Sequence, residues 1–252
     1  MRAIIMLRMT FGAALSELRK AQKTAKGVSL YSRHVNRPLG RVFAAAAYAA
    51  GLRPNHVTLL SAAFTGGGIA AVALVRPGWL MAVAVYALLV TGFALDSADG
   101  QLARLRRESS AAGEWLDHVV DCAKVTAVHA AVLVSFYRFF DLSSDGWLLL
   151  PLGFQLAAVL IFCGGLLADK LKPKPKPQAQ PAADAAPAPA PPPSRLRAVA
   201  LLPVDYGVFC VVFLLLGSER AFLAGYTALA AAAGLFLAAF MAKWFRELSA
   251  AS

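Results

Sequence analysis

The chain has 252 residues, of which 59% are hydrophobic, and its mean hydropathy is +0.60. Soluble domains are roughly 45–50% apolar, so this composition excludes an ordinary soluble domain and indicates one integral membrane domain. Lysine and arginine outnumber aspartate and glutamate by 25 to 14, a net charge of +11. Because the basic residues cluster between apolar segments, we interpret them as loops facing anionic lipid headgroups, and we expect no nucleic acid partner.

An amphipathic extension, residues 1–28, precedes the apolar segments. Its basic start resembles a signal peptide only faintly, because Arg8 and Glu17 interrupt the apolar patch. A helix lying on the membrane surface is the favoured interpretation. Its polar side is marked by Lys20, Lys23 and Lys26.

A second amphipathic stretch covers residues 29–50. Arg33, Arg37 and Arg41 recur at every fourth position, so on a helix they share one face. Pro38 predicts the start of a new helix that runs to Gly51, because proline is favoured in the first helical turn.

Six apolar segments follow, and each is near the ~20 residues that a helix needs to cross a bilayer core. Pro54 breaks the preceding helix, and Asn55 can cap the next one. Three successive glycines, Gly66 to Gly68, allow either close helix contact or a kink. The sequence predicts spans at 57–75, 79–98, 114–139, 147–168, 199–217 and 221–242.

The connecting segments alternate in charge, as the positive-inside rule expects. This pattern predicts a cell-membrane protein with six crossings and with both termini and residues 94–124 on the cytoplasmic side. The basic side collects Arg104, Arg106, Arg107, Lys170, Lys172, Lys174, Lys176, Arg195, Arg197, Lys243 and Arg246.

A proline- and alanine-rich segment, residues 172–194, separates the fourth span from the fifth. Proline at this density favours extended, solvated chain, so we interpret the segment as a mobile cytoplasmic linker. Its lysines can also contact anionic lipid. The membrane domain is then 29–245, followed by a tail, 246–252.

Four aspartates lie near or inside the apolar segments, where ionised carboxylates are costly without a partner. Asp96 and Asp99 are three residues apart, and Asp117 and Asp121 are four apart, so each pair shares a helical face. Antiparallel packing would bring all four together, and their mutual repulsion calls for divalent cations. Oxygen ligands suit Mg²⁺ or Mn²⁺, and two such ions can clamp a diphosphate.

The residues after the first pair fit a nucleotide. Gly100 and Ala103 leave room for it, and Arg104 can bind a phosphate oxygen. Two alternatives remain at this point: salt-bridged structural acids, and a proton or ion path through a membrane transporter.

The full pattern is Asp96-x2-Asp99-Gly100-x2-Ala103-Arg104-x8-Gly113-x3-Asp117-x3-Asp121. It resembles the signature of the CDP-alcohol phosphotransferase family at all eight fixed positions. The resemblance extends over about residues 29–245, and Pro54, Asn55, Val57 and Thr58 match the family's entry to the first span. It implies an all-α integral membrane fold with six transmembrane helices preceded by an amphipathic interfacial helix, and a homodimer.

The resemblance also implies a reaction: a substituted phosphate moves from a CDP-linked donor to an alcohol, and CMP is released. Asp96, Asp99 and Asp117 would then ligate the metal ions. Asp121 would be the general base, while also touching a metal. The CDP donor would be bound by Asp96 and Asp99 and by a nucleotide site lined by Gly100, Ala103, Arg104 and Gly113, with Asn55 and Thr58 nearby.

A CDP-lipid such as CDP-diacylglycerol is the favoured donor, because the site would lie at headgroup depth. The acceptor would be a small polyol or its phosphate, and anion-holding candidates mildly favour the phosphate: Arg33, Arg37, Lys124, Arg195 and Arg197. The rivals are a soluble CDP-alcohol donor with a lipid alcohol acceptor, an ion-coupled transporter, and a silent scaffold, which the intact signature argues against.

Three further polar residues lie inside or beside spans. Lys124 either pairs with Asp121 or binds an acceptor phosphate, and the sequence leaves both open. We expect His129 to be a satisfied interior residue. Asp205, at a span end, is expected to be solvated or to anchor the linker.

Overall fold

The computed structural model describes residues 10–20, 29–172 and 199–250, and every regular element within them is helical. This confirms the predicted all-helical class. Short turns of other helix types occur at Ser32–Asn36, a π turn, and at Asp145–Leu148, Leu202–Val204 and Phe213–Gly217, which are 3-10 turns. The α-helices are α1 (Phe11–Lys20), α2 (Arg37–Ala49), α3 (Pro54–Leu74), α4 (Trp79–Arg106), α5 (Ala111–Phe139), α6 (Leu149–Leu171), α7 (Tyr206–Val212) and α8 (Glu219–Ser249).

Within the described residues, five helices are long and apolar enough to cross a membrane: α3, α4, α5, α6 with the turn before it, and α8. The predicted span at 199–217 is different. Its continuous helical part, Tyr206–Gly217, is short, because Pro203 lacks an N–H and Asp205 caps a new helix start. The sixth crossing therefore stays a prediction.

The two N-terminal helices pack on the protein through buried apolar residues. Ala14 and Leu18, one turn apart on α1, are buried against α2 and α4. The chain is helical from residue 30 to 49, with the π turn before α2 and Pro38 in the first turn of α2. Gly51 follows the helix at a φ of 78°, a left-handed conformation that favours glycine. Lys23 and Lys26 lie outside the described residues, and the interfacial role stays a prediction.

Close contact between α3 and α4 depends on two glycines. A Cβ atom at Gly92 would stand 2.1 Å from Thr65 Oγ1, and one at Gly68 would stand 3.1 Å from Leu89. Gly66, in contrast, faces open space within 4 Å. Of the glycines singled out from the sequence, Gly68 makes the close approach, and the tighter contact at Gly92 was missed. This crossing holds the polar face of α3 against the aspartates of α4.

The interior of the described residues divides into two parts. At the end of α5 away from the aspartates lies the aromatic core, formed by Phe136, Phe154, Phe209, Phe213, Phe222 and Tyr226. His129 is buried beside it, and its Nδ1 atom shares a 2.6 Å hydrogen bond with the Tyr226 hydroxyl. The expectation of a satisfied interior histidine is confirmed. The other part is a smaller cluster between α1, α2, α4 and the start of α3.

The expectation that Asp205 is solvated is wrong. Its side chain is buried and accepts hydrogen bonds from the Gly207 N–H at 2.7 Å, from Ser32 Oγ at 2.8 Å and from Ser29 Oγ. Burial is possible because these donors replace water. Asp205 thereby ties the start of α7 to the segment before α2.

Candidate active site

Three of the four aspartates form a compact cluster. Asp96, Asp99 and Asp117 each offer a carboxylate oxygen, and these oxygens all lie within 4.8 Å of one another. The two acidic faces come from α4 and α5, and α3 packs along both helices. Ser110 accepts a hydrogen bond from the Gly113 N–H at 3.0 Å, which caps α5 and fixes where its acidic face begins.

Thr58 connects α3 to this cluster. Its hydroxyl donates to Asp99 Oδ2 at 2.6 Å and also lies 3.3 Å from the Pro54 carbonyl oxygen. Asp99 is buried, so this donor offsets part of the cost of removing a carboxylate from water. The sequence predicted Thr58 near the nucleotide, and the structure shows that it contacts an aspartate directly.

Asp121 lies outside the compact cluster and contacts Lys124 instead. The Lys124 ammonium donates to Asp121 Oδ1 at 3.2 Å, to Ser61 Oγ at 3.0 Å and to Asp96 Oδ1. Of the two interpretations of Lys124, pairing with Asp121 is therefore observed. The predicted metal contact of Asp121 stays a prediction.

Ser61 was missed by the sequence reasoning. It is buried on α3, contacts Lys124, and donates to the Gly92 carbonyl oxygen at 2.8 Å. Its spacing of three residues from Thr58 places both on one helical face, and this was an available signal.

A cavity of about 560 Å³, the larger cavity, opens on one side of the cluster. It brings together all the residues predicted for the nucleotide except Asp96, and their binding role stays a prediction. It also includes residues that the sequence did not single out, such as Glu108 and Glu114. The predicted residues that line it are Asn55, Thr58, Asp99, Gly100, Ala103, Arg104 and Gly113, together with Asp117.

Two glycines keep this cavity open. A Cβ atom at Gly113 would stand 3.3 Å from Asn55 Oδ1, and one at Gly100 would stand 3.6 Å from Arg104 Nη1. Both positions border the predicted nucleotide site, so a side chain at either would occupy space facing Asn55 or Arg104.

A pocket of about 180 Å³, the smaller pocket, opens on the other side. Asp99 and Asp117 line the larger cavity, whereas Asp96 and Asp121 line the smaller pocket. Its complete lining is Thr65, Phe93, Asp96, Asp121, Lys124, Val125, Phe162 and Tyr206.

Of the four arginines predicted to hold an anion, two lie within the described residues and two lie outside them. Arg37 lies close enough to feel the charge of Arg33, and burial, together with that charge, lowers the pKa of Arg37. Arg104, which lines the larger cavity, is in turn near enough to Arg37, the first residue of α2, for their charges to interact. Arg195 and Arg197 lie outside the described residues.

The cluster has the chemistry of a site for a hard divalent cation. Carboxylate oxygens are the ligands that Mg²⁺ and Mn²⁺ prefer, and oxygens about 2.1 Å from one Mg²⁺ stand up to about 4.2 Å apart. Oxygens of Asp96, Asp99 and Asp117 lying within 4.8 Å of one another are close to that separation. The three residues therefore fit a metal.

Comparison with known proteins agrees with this geometry. No curated protein matches the chain. The family model described as CDP-alcohol phosphatidyltransferase matches residues 52–185, more than half of the chain. The match includes α3 to α6 and all four aspartates. It is narrower than the 29–245 expected from the resemblance. The chain belongs to the CDP-alcohol phosphatidyltransferase family, whose members transfer substituted phosphate groups.

Proposed function

We propose that this protein transfers the phosphatidyl group of CDP-diacylglycerol to a hydroxyl of a small polyol or polyol phosphate, in a metal-dependent reaction that releases CMP. The observation that carries this proposal is the three-carboxylate cluster at the edge of the larger cavity. Family membership supports the class of reaction. Five apolar helices support a lipid donor, because the site then lies in a protein that crosses the bilayer.

Two Mg²⁺ or Mn²⁺ ions held by Asp96, Asp99 and Asp117 would neutralise the diphosphate and make CMP a better leaving group. The chain's own groups perform the other tasks. Arg104 binds a phosphate oxygen, and Gly100 and Gly113 leave room for the nucleotide. Asp121 takes the proton from the acceptor hydroxyl, and Lys124, which contacts it at 3.2 Å, holds that carboxylate in place.

The arrangement in the membrane belongs to the same proposal. The helix Tyr206–Gly217 with the residues before it supplies the sixth crossing, and the basic segments lie on the cytoplasmic side with both termini. The helices before α3 lie at the interface, residues 172–194 serve as a linker, and the protein is a homodimer. The support is charge distribution and family resemblance.

The test is CMP release by the purified protein in micelles that contain CDP-diacylglycerol and Mg²⁺, with a panel of polyols and polyol phosphates. We expect acceptor-dependent CMP release that EDTA stops and Mg²⁺ or Mn²⁺ restores. Activity that persists after thorough chelation would contradict the metal-dependent mechanism, and no CMP release with any acceptor would contradict the donor.

Two rivals are tested alongside. The first rival is a soluble CDP-alcohol donor with a lipid alcohol acceptor. It would be established if a labelled soluble CDP-alcohol yields labelled lipid while CDP-diacylglycerol releases no CMP with any polyol. Ion flux through reconstituted vesicles that needs neither a CDP compound nor Arg104 would identify a transporter.

A further inference from the structure

An apolar groove, which we call the α6–α8 groove, lies between the C-terminal parts of these two helices. Its volume is about 520 Å³, and among the described residues it shares no lining residue with the larger cavity or the smaller pocket. Its apolar walls are formed by Leu167, Leu171, Met241, Trp244, Phe245 and Leu248. Leu167, Leu171 and Phe245 are 60%, 59% and 75% exposed. Apolar side chains this exposed are unfavourable in water, so the groove requires an apolar occupant.

One end of the groove is closed by close packing at a glycine of α6. A Cβ atom at Gly164 would stand 2.9 Å from the methyl carbon of Met241 and 3.0 Å from the ring of Trp244. The Trp244 ring also stacks on Phe240, with ring centroids 5.3 Å apart. Trp244 is thus held in place against α6, where it lines the groove and can report on what occupies it.

The helix ends that form the groove carry more cations than carboxylates. Residues 167–172 and 241–248 contain four cations and two carboxylates, which are Lys170, Lys172, Lys243, Arg246, Asp169 and Glu247. Glu114 on α5 adds a third carboxylate, because it pairs with Lys170 at 2.6 Å. One positive charge therefore remains in excess beside the groove.

The ion pairs at these helix ends leave the cations available to an anion. Lys172 and Lys243 share the carboxylate of Glu247, at 3.1 and 3.7 Å. Among the described residues, Arg246 contacts no carboxylate, and its Nε donates to the Ala242 carbonyl oxygen at 3.1 Å. The side chains that share Glu247 are exposed to solvent by more than a third, and exposed ion pairs contribute little to stability. A phosphate can therefore join or replace a shared carboxylate at low cost.

The length of α8 places this charged end at the depth of the lipid headgroups. Helix α8 has 31 residues, which at 1.5 Å per residue is about 46 Å. The hydrocarbon core of a bilayer is about 30 Å thick, so at least one end of α8 extends into the headgroup region. The lysines and arginine beside the groove indicate that its C-terminal end does so.

An apolar groove that ends among excess cations fits a lipid with an anionic headgroup. We propose that the α6–α8 groove binds an anionic phospholipid as a ligand that is not a substrate. An acyl chain occupies the groove, and the headgroup phosphate contacts Lys172 and Arg246, each of which directly follows a lining residue. The inference does not rest on the proposed function, because the groove is separate from both cavities at the carboxylate cluster.

The test measures quenching of Trp244 fluorescence by brominated lipids, in protein whose other three tryptophans, Trp79, Trp115 and Trp147, are replaced by phenylalanine. The protein is reconstituted without any CDP compound in phosphatidylcholine membranes, where a fixed fraction of the lipid is brominated phosphatidylglycerol or brominated phosphatidylcholine. We expect phosphatidylglycerol to bind beside Trp244 roughly 5-fold more tightly, the contribution of about one cation near an anionic lipid. High salt should reduce this preference.

The variant that tests the headgroup contact is Arg246→Gln combined with Lys172→Gln, and it should lose the preference for phosphatidylglycerol. Arg76→Gln combined with Arg220→Gln is the matched control. It removes the same charge from two exposed arginines that do not line the groove, so the preference should stay at the wild-type value. A preference retained in the first variant would overturn the assigned headgroup contact.

Equal quenching by the two brominated lipids in the otherwise wild-type protein would overturn the selectivity for an anionic lipid. Absence of quenching by either lipid would show that protein covers the groove, as a second copy of the chain would do. Native mass spectrometry of the wild-type protein gives a second measurement that does not need the tryptophan replacements. Retained phosphatidylglycerol should be lost in Arg246→Gln with Lys172→Gln and kept in the control, and equal retention by both would contradict the proposal.

Discussion

Helix α5 passes through two regions, one with charged residues at the candidate site and one with buried apolar residues. Its first half carries Asp117, Asp121 and Lys124, which lie at the carboxylate cluster and the smaller pocket. Its second half contributes Val132 and Phe136 to the aromatic core, where both are almost completely buried. The same helix therefore supports chemistry at one end and packing at the other.

The difference has a physical basis. In lipid, helix association depends on close packing, which the ring contacts of the aromatic core provide. Carboxylates at the other end are costly unless they are paired, and Thr58 and Lys124 offset that cost only in part. Substitutions at the carboxylate end should therefore change turnover, whereas those in the aromatic core should change stability.

The largest expected effect is on turnover at the carboxylate end. Asp121→Asn should lower CMP release roughly a hundredfold to ten-thousandfold, because amides do not accept the acceptor's proton. Donor binding, measured by calorimetry, should persist. Asp141→Asn, at the far end of α5 in an exposed position, is the matched control and should leave turnover unchanged. Normal turnover in Asp121→Asn would show that this carboxylate is not the base.

A substitution in the aromatic core should lower stability and leave turnover unchanged. Phe136→Ala removes a fully buried ring and should lower the free energy of unfolding by about 3 kcal/mol or more. Activity per folded molecule should stay near that of wild type. Thermal unfolding in detergent, combined with CMP release at low temperature, measures both. If activity per folded molecule dropped as in Asp121→Asn, the separation of the two regions would be wrong.

A smaller effect is expected in the larger cavity. In Gly100→Ala, the new Cβ atom would stand 3.6 Å from Arg104 Nη1, an ordinary contact, so the fold should be retained. The methyl group occupies nucleotide space, and the KM for the CDP donor should rise roughly 10-fold. Gly153→Ala on α6, where a Cβ meets nothing within 4 Å, is the control. Equal KM values for the donor in the two variants would show that the nucleotide does not bind in this cavity.

The smallest effect is expected for the hydrogen bond at the edge of the aromatic core, between Tyr226 and His129. Tyr226→Phe deletes the 2.6 Å hydrogen bond to His129 and leaves the imidazole buried without that partner. The free energy of unfolding should drop by about 1–3 kcal/mol, with turnover unchanged. A change in the KM of either substrate would place His129 in the reaction.

Local spacing predicted much of the site. The aspartates, Gly100 and Arg104 stand at fixed distances along two helices, so their faces followed from helical geometry. Three features depended on contacts between distant segments and were not predictable in this way. Tyr206 lines the same pocket as Asp121 but is 85 residues away along the chain. The buried Asp205 accepts hydrogen bonds from the Ser29 and Ser32 hydroxyls, and Lys124 on α5 contacts Asp96 on α4.

The bounds of the apolar helices were predicted to within a few residues where apolar runs were unbroken, as in α3. The segment at 199–217 departed from its prediction because hydropathy ignores the missing N–H of Pro203 and the capping side chain of Asp205. Long apolar windows thus identified the helices but not the start of α7.

The proposed reaction depends on a divalent metal bound by Asp96, Asp99 and Asp117. The most direct measurement is titration of the purified, chelator-treated protein with Mn²⁺, in which the electron paramagnetic resonance signal reports the concentration of free Mn²⁺. We predict saturable binding by the wild-type protein and by Asp141→Asn, and its loss in the double variant Asp99→Asn with Asp117→Asn. Equal Mn²⁺ binding by the double variant and the wild-type protein would contradict the account.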